Sequence, residues 1–355
     1  MVHNVMETKV IAISQNTGNE EVLRQAGQVI KDGGLVAFPT ETVYGLGGDA
    51  LNKDSSRKIY AAKGRPSDNP LIVHISRMED LPFLVEEIPK VVYDLAEAFW
   101  PGPLTIIMKK SEYVPMETTG GLQTVAVRMP SHPVARKFIE YAGGYVAAPS
   151  ANVSGRPSPT KARYVVEDMA GRIEMILEGD EGIEIGLEST IIDVTGQVPM
   201  ILRPGYVTRE MLETVAGQVQ MDKTILDRNC KEPPKAPGMR YRHYAPKGQL
   251  TIIEGTPENT ISCIQRLTEE AKLQGEKVGI IGTEETRNYY QGDSVKSVGR
   301  RQDEEAIARS LYTLLREFDE EDISVIYSES FSEGGMGQAI MNRLLKAAGY
   351  QIIYV

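Results

Sequence analysis

Residues 9–40 read KVIAISQNTGNEEVLRQAGQVIKDGGLVAFPT, two short apolar runs on either side of a longer amphipathic stretch. KVIAI (9–13) and LVAFPT (35–40) have the length and the Val/Ile/Phe content of strands. Between them Val22, Leu23, Ala26, Val29 and Ile30 share one face of a helix. The pattern predicts strand, helix, strand, the opening of an α/β domain.

The alternation continues downstream. Strands are predicted at LIVHI (71–75), LTIIMKK (104–110), TVAVRMP (124–130), GYVAAPSAN (144–152), EMILEGD (174–180), STIIDV (189–194) and PMILRPG (199–205), with helices over 54–63, 88–98, 132–142, 160–169 and 208–215. Several of these strands follow one another with no helix between them, which predicts an open, twisted, mixed sheet with helices rather than a purely parallel one. Around RNCKEPPKAPGMRYRHYAPKG (228–248) the apolar period stops, as a Pro-rich basic linker would require. A cleaner alternation then resumes: helices over 257–274, 303–317 and 338–348 between five short strands, a small doubly wound Rossmann-like α/β domain. The predicted organisation is a first domain over 1–227, a linker over 228–248 and a second domain over 249–355.

Composition narrows the function. A chain of 355 residues with 41% apolar and 25% charged side chains can build two cores. A formal charge of -10 disfavours a protein that coats nucleic acid or an anionic membrane through its overall field. The acidity is concentrated in residues 249–355, with 11 Lys and Arg against 18 Asp and Glu. Cys230 and Cys263 form no C-x-x-C pair and the four histidines no H-E-x-x-H, so no protein-built metal site is predicted. Apolar runs of signal-peptide length, or of the about 18 residues that span a bilayer, are missing, and a cytoplasmic setting without membrane contact is expected.

The polar groups that interrupt strand ends are the candidates for chemistry, because open α/β sheets place ligands there. They sit in PTETVYGLGGDA (39–50), AAKGRPSDNP (61–70), TVAVRMP, APSANVSGRPSPT (148–160), GLESTIIDV (186–194) and LRPG (202–205). Each has a plain structural reading: TET as turn and capping residues, Ser150 and Asn152 as turn hydrogen-bonders, Arg128 as a salt-bridged edge residue, His74 as a hydrogen-bonded core residue. Together, Lys63, Arg65, Arg128, Arg156 and Arg203 place five cations at strand ends or in Pro- and Gly-bounded turns, an arrangement suited to a polyanion. With no G-x-x-x-x-G-K-[ST] in the chain, phosphates would be met by side chains and turns.

These blocks, in this order, resemble the YrdC-like threonylcarbamoyl-AMP synthases in their two-domain form. FPTETVYGLG, KGRP with NPLIVHI, WPGPLTIIM, VAVRMPSHP, APSANVSGRPSPT, GLESTIID and ILRPG are similar to the family's successive motifs, and both its K-x-R (Lys63, Arg65) and S-x-N (Ser150, Asn152) elements are present. The resemblance implies that L-threonine, bicarbonate and ATP become threonylcarbamoyl-AMP and pyrophosphate. Mg²⁺ would arrive with ATP rather than at a dedicated protein site. A downstream threonylcarbamoyl transferase would use the product on tRNA, which this chain meets only indirectly. By the same resemblance Thr42, Tyr44, His74, Arg128, Ala148 and Ser189 line a threonine pocket. Arg65, Asn69, Thr124, Ser150, Asn152, Ser158, Arg203 and Tyr244 face ATP, and Lys63 and Arg65 carry the chemistry. On this reading the two prolines of KGRPSDNP keep it out of helix so that its polar groups converge on a triphosphate.

Two further expectations come from the sequence. Arg240, Arg242, His243 and Tyr244 crowd five positions of the linker, which suggests a lid with Tyr244 over the nucleotide. FSEGGMGQAIMNRL (331–344) sets a Gly-rich turn before a helix, either an anion cradle or a tight connection that needs glycine. The competing functions are a carbamoyl-adenylate forming enzyme and an RNA-binding module of the same fold. Pyrophosphate release that requires both threonine and bicarbonate separates them.

Overall fold

The structure is a computed structural model that describes residues 6–14, 19–180, 183–226 and 244–355. It divides into two compact units. The first contains β1 (Lys9–Ala12), α1 (Glu20–Lys31), β2 (Val36–Phe38), β3 (Gly45–Asp49), α2 (Lys53–Lys63), β4 (Ile72–His74), α3 (Leu81–Leu84), α4 (Lys90–Phe99), β5 (Leu104–Lys109) and β6 (Thr124–Arg128). It continues with α5 (Pro133–Tyr141), β7 (Val146–Ala148), α6 (Ala162–Met169), β8 (Met175–Glu178), β9 (Thr190–Asp193), β10 (Met200–Arg203), α7 (Arg209–Ala216), β11 (Gln220–Met221) and α8 (Lys223–Leu226).

The strands form one mixed sheet in the order β1-β8-β2-β3-β7-β4-β6-β5-β9-β10-β11. The expected strand, helix, strand opening is present, and β1 and β2 both pair in parallel with β8. Against expectation, GLGGD is a strand rather than a turn: β3 runs antiparallel to both β2 and β7. Its glycines are steric necessities, since a Cβ on Gly47 would lie 2.8 Å from Val146 Cγ1 and 3.1 Å from the Phe38 ring.

The two faces of the sheet are covered differently. One packs Val73, Ile106, Val125, Val127 and Ile192 against Ile59 of α2, Leu84 of α3, Val92 and Leu95 of α4, Val165 of α6 and Leu212 of α7. On the other, α1 and α5 cover Val36, Phe38, Val146, Ala148, Met175 and Leu177. Further along that same face Ile72, Ile107, Ala126, Ile191 and Leu202 form a small apolar cluster to which strands alone contribute buried residues. Side chains alternate along a strand, so His74 shares the face of Ile72, Thr124 and Arg128 that of Ala126, and Thr105 that of Ile107. This patch is the floor of the candidate site.

The second unit contains β12 (Gln249–Glu254), α9 (Pro257–Leu273), β13 (Val278–Gly282), β14 (Ser294–Ser297), α10 (Glu304–Glu320), β15 (Val325–Glu329), α11 (Gly337–Ala347) and β16 (Ile352–Tyr354). Its sheet has the order β14-β13-β15-β12-β16 with every pair parallel, the doubly wound α/β pattern expected. Gly155–Pro157 and Ile185–Leu187 cluster with this unit as well. In the Gly-rich turn the Gly337 N–H donates to the Glu304 carboxylate (3.1 Å), and a Cβ on Gly337 would lie 2.3 Å from the Ser332 carbonyl oxygen. Close backbone approach thus accounts for that glycine.

Candidate active site

Helix α2 ends at Lys63, the last residue of the helix expected over 54–63. Gly64 adopts the left-handed conformation (φ 61°), its N–H donates to Ala61 O, and the Arg65 N–H donates to Tyr60 O. The helix therefore stops at Gly64, not at the prolines, and Lys63 is its last residue. Lys63 is 1% exposed and donates from Nζ to the carbonyl oxygens of Ser150 and Asn152, the second at 2.5 Å, while its own carbonyl accepts from Ser154 N. Its ammonium thus ties the K-x-R element to the S-x-N turn. Arg65 folds back over the turn that follows, donating from Nε to Asn69 O and from Nη2 to Pro70 O. Asn69 is buried, and its Oδ1 has no hydrogen-bond partner.

At the other end of the floor, parallel pairing places His74 of β4 beside Arg128 of β6, and antiparallel pairing places Thr105 of β5 across from Arg128. Thr105 Oγ1 lies 2.7 Å from Ser189 Oγ, to which Arg203 Nη2 donates, with Arg203 Nε on Ser189 O. His74 Nδ1 lies 3.1 Å from Ile72 O, and its ring meets Phe38 edge-on. Burial, reinforced by the Arg128 charge, pushes the imidazole down to about 3. His74 is neutral at any ordinary pH. Thr124 and Arg128 stand at opposite ends of one strand on one face, roughly 13 Å apart at about 3.3 Å per residue. That span suits an extended nucleotide with an amino acid at its end.

The β2–β3 connection closes the Arg128 end. Thr40 Oγ1 accepts from the N–H groups of Thr42 and Val43 and lies 2.9 Å from Thr42 Oγ1. Between them Glu41 is 2% exposed, with Oε1 2.7 Å from Arg128 Nη2. The Tyr44 hydroxyl accepts from Gly179 N, and burial pushes it up to about 12. His132 is held below the ordinary histidine range by burial, against the pull of Glu41 and Asp180. Ala148 pairs with Ile72, and Ser158 Oγ donates to Glu188 Oε1 at 2.5 Å.

Thr42, His74, Arg128, Ser189 and Arg203 therefore belong to one end of the floor, and Lys63, Arg65, Asn69, Ser150, Asn152 and Thr124 to the other. Three placements differ from expectation. Arg128 is salt-bridged, but on a central strand rather than an edge. Arg156 lies with the second unit and pairs with Asp319 there (3.7 Å). Tyr244 is buried in that same unit, its ring 5.2 Å from that of Tyr312, while Arg240, Arg242 and His243 lie outside the described residues. Sequence reading missed Glu41, Thr105 and Glu188. The first stands inside the quoted TET, and its partner, Arg128, is too distant in sequence to suggest a pair.

Two families match the chain: one described as telomere recombination over residues 28–205, the other as the threonylcarbamoyl-AMP synthase C-terminal domain over 207–349. A threonylcarbamoyl-AMP synthase of Pyrococcus abyssi is 47% identical over 336 residues, covering 94% of this chain and 96% of the relative. One of Bacillus subtilis is 48% identical over 336 residues, covering 94% and 95%. The crystal structure of P. abyssi Sua5 complexed with L-threonine superposes with a TM-score of 0.92 at 46% identity, covering 98% of this chain and all of that one. Escherichia coli YciO, at 21% identity and a TM-score of 0.51 over 56% of this chain, shares the fold.

Proposed function

The chain belongs to the threonylcarbamoyl-AMP synthase family, and from that premise we propose how its site works. The reaction joins L-threonine, bicarbonate and ATP into threonylcarbamoyl-AMP and pyrophosphate. The amine of threonine takes up the carboxyl group of bicarbonate, releasing water. An oxygen of the resulting carbamate attacks the α-phosphorus of ATP, and pyrophosphate leaves. Both partners are anions, so charge neutralisation and alignment are the main demands on the protein, and no side-chain nucleophile is needed.

The reading rests on one observation above all: a buried guanidinium and a neutral imidazole, Arg128 and His74, side by side on the same face as an apolar floor. Arg128 holds the threonine carboxylate in its fork, with Thr42, His74 and Ser189 around the side chain and Tyr44 and Ala148 behind them. Arg65, Asn69, Thr124, Ser150 and Ser158 receive the nucleotide, which reaches along the floor to Arg203 beside Ser189. Lys63 acts mainly by fixing the turn that carries Ser150 and Asn152. Mg²⁺ bound to the triphosphate would offset part of its charge. The buried Asn69 Oδ1 is a fitting oxygen for a water on that ion, and among the described residues no cluster of His, Cys, Asp and Glu is gathered to hold a metal. The product goes on to a threonylcarbamoyl transferase in the cytoplasm, the only route by which tRNA is involved. Among the described residues no helix is long and apolar enough to cross a membrane.

The deciding experiment is pyrophosphate release from ATP with L-threonine, L-serine or no amino acid, each with and without bicarbonate. Release that needs both L-threonine and bicarbonate is expected; release independent of either overturns the reading.

A further inference from the structure

Glu41 is a carboxylate at the threonine end of the floor that nothing in the reaction scheme above employs. It is 2% exposed and faces Arg128, itself 4% exposed, at 2.7 Å. Beyond that ion pair neither carboxylate oxygen has a hydrogen-bond partner, and Arg128 Nη2 has no further one either. An ion pair kept for structure alone normally has its remaining lone pairs and protons met by neighbours, because a buried charge with open hydrogen-bonding capacity is costly. This pair is left open on both sides. The backbone beneath it is rigid, because Thr40 Oγ1 binds the N–H groups of Thr42 and Val43 and donates to Val43 O. Glu41 is therefore held where it is by design of the turn, with spare acceptor capacity in an enclosed space.

An α-amino acid zwitterion carries the complementary charges: a carboxylate that suits a guanidinium and an ammonium that suits a carboxylate. We propose that Glu41 is a substrate-binding residue that accepts the α-ammonium group of the amino acid, and that the Arg128–Glu41 pair presents the charges complementary to the zwitterion. On binding, the internal ion pair is exchanged for two pairs with the ligand. The net charge buried in the pocket does not change, so the site is already arranged for its substrate. Glu41 then determines the preference for an amino acid over the corresponding hydroxy acid. This rests on the reading of Arg128 as the carboxylate-binding residue.

The test compares L-threonine with 2,3-dihydroxybutanoate, in which a hydroxyl replaces the ammonium, as ligands of the full chain carrying Glu41→Gln. L-Threonine binding is expected to weaken about 10- to 100-fold, with the hydroxy acid changed by less than about threefold and the KM for ATP by less than about twofold. Equal weakening of both ligands, or unchanged threonine binding, overturns the proposal. Should Glu41→Gln fail to fold, Glu41→Asp takes its place: it keeps the charge at shorter reach and must keep the preference for threonine over the hydroxy acid. Loss of that preference in the aspartate variant overturns the proposal equally. Wild-type protein that neither binds L-threonine nor releases pyrophosphate overturns the functional reading itself, whereas wild-type protein that does both, beside a glutamine variant with intact preference, overturns only the role of Glu41.

Discussion

The Lys63 ammonium lies 2.5 Å from the Asn152 carbonyl oxygen, joining the last residue of a helix to a turn 89 positions later. Both groups are buried. Lys63→Met keeps most of the volume and removes every donor, leaving the Ser150 and Asn152 carbonyls without it. The Ser150 carbonyl keeps the Asn152 N–H (3.0 Å), yet loss of a charged donor from these buried carbonyls still costs about 1–3 kcal/mol, so thermal stability should fall measurably and the KM for ATP should rise more than that for threonine. Equal KM values with an unchanged melting temperature would show that the clamp does not hold the turn.

Arg65→Ala tests the nucleotide end. Its guanidinium donates to the Asn69 and Pro70 carbonyls of the adjoining turn, contacts local to that turn, so circular dichroism should be preserved. Charge-assisted bonds to phosphate contribute about 1.5–3 kcal/mol each, which predicts a loss of roughly 10- to 150-fold in kcat/KM for ATP. Near-normal turnover in a folded variant removes Arg65 from the phosphate site.

Arg128→Lys keeps the charge but not the two-pronged geometry for a carboxylate. The KM for threonine should rise at least about tenfold with that for ATP changed much less, read by titrating each substrate separately. Equal losses for both would move Arg128 to the nucleotide side.

His74 predicts a pH dependence of stability. Its pKa in the folded chain is about 3, against 6.5 for an ordinary histidine. Below pH 6.5 the unfolded chain binds a proton that the folded one refuses, so stability falls as pH drops from 6.5 toward 3, by roughly 1 kcal/mol per unit. Melting temperatures of His74→Asn against wild type across this range should converge as pH falls. Parallel curves would mean that His74 protonates in the folded protein.

Gly27 sets two effects against each other. Alanine in the middle of α1 gains about 1 kcal/mol of helix propensity. A Cβ there would lie 2.6 Å from the backbone carbon and oxygen of Tyr141 in α5, which cannot move as a side-chain tip could. Overpacking of this kind costs about 1–3 kcal/mol or more, so Gly27→Ala should lower the melting temperature; an increase would show that α1 and α5 separate freely.

Local patterning was enough for most of the fold. Alternating β-branched runs and 3.6-residue apolar periods located β4 through β10 and all three long helices of the second unit to within a few residues, because burial of one face of an element is written into its own sequence. Motif order was enough for the family, and it singled out Lys63, Arg65, Arg128 and Ser150 as candidates. Local pattern could not show β3, since GLGGD has the composition of a turn and is a strand only because Phe38 and Val146 leave no room for side chains. Nor could it show which polar groups meet. Glu41 with Arg128, Thr105 with Ser189, Ser158 with Glu188 and Lys63 with Asn152 are separated by 30 to 89 positions, and they come together through strand order and register in a sheet where most neighbours are not consecutive. Electrostatic interactions act through space at a few ångströms, so charge pairing becomes legible only once the chain has folded.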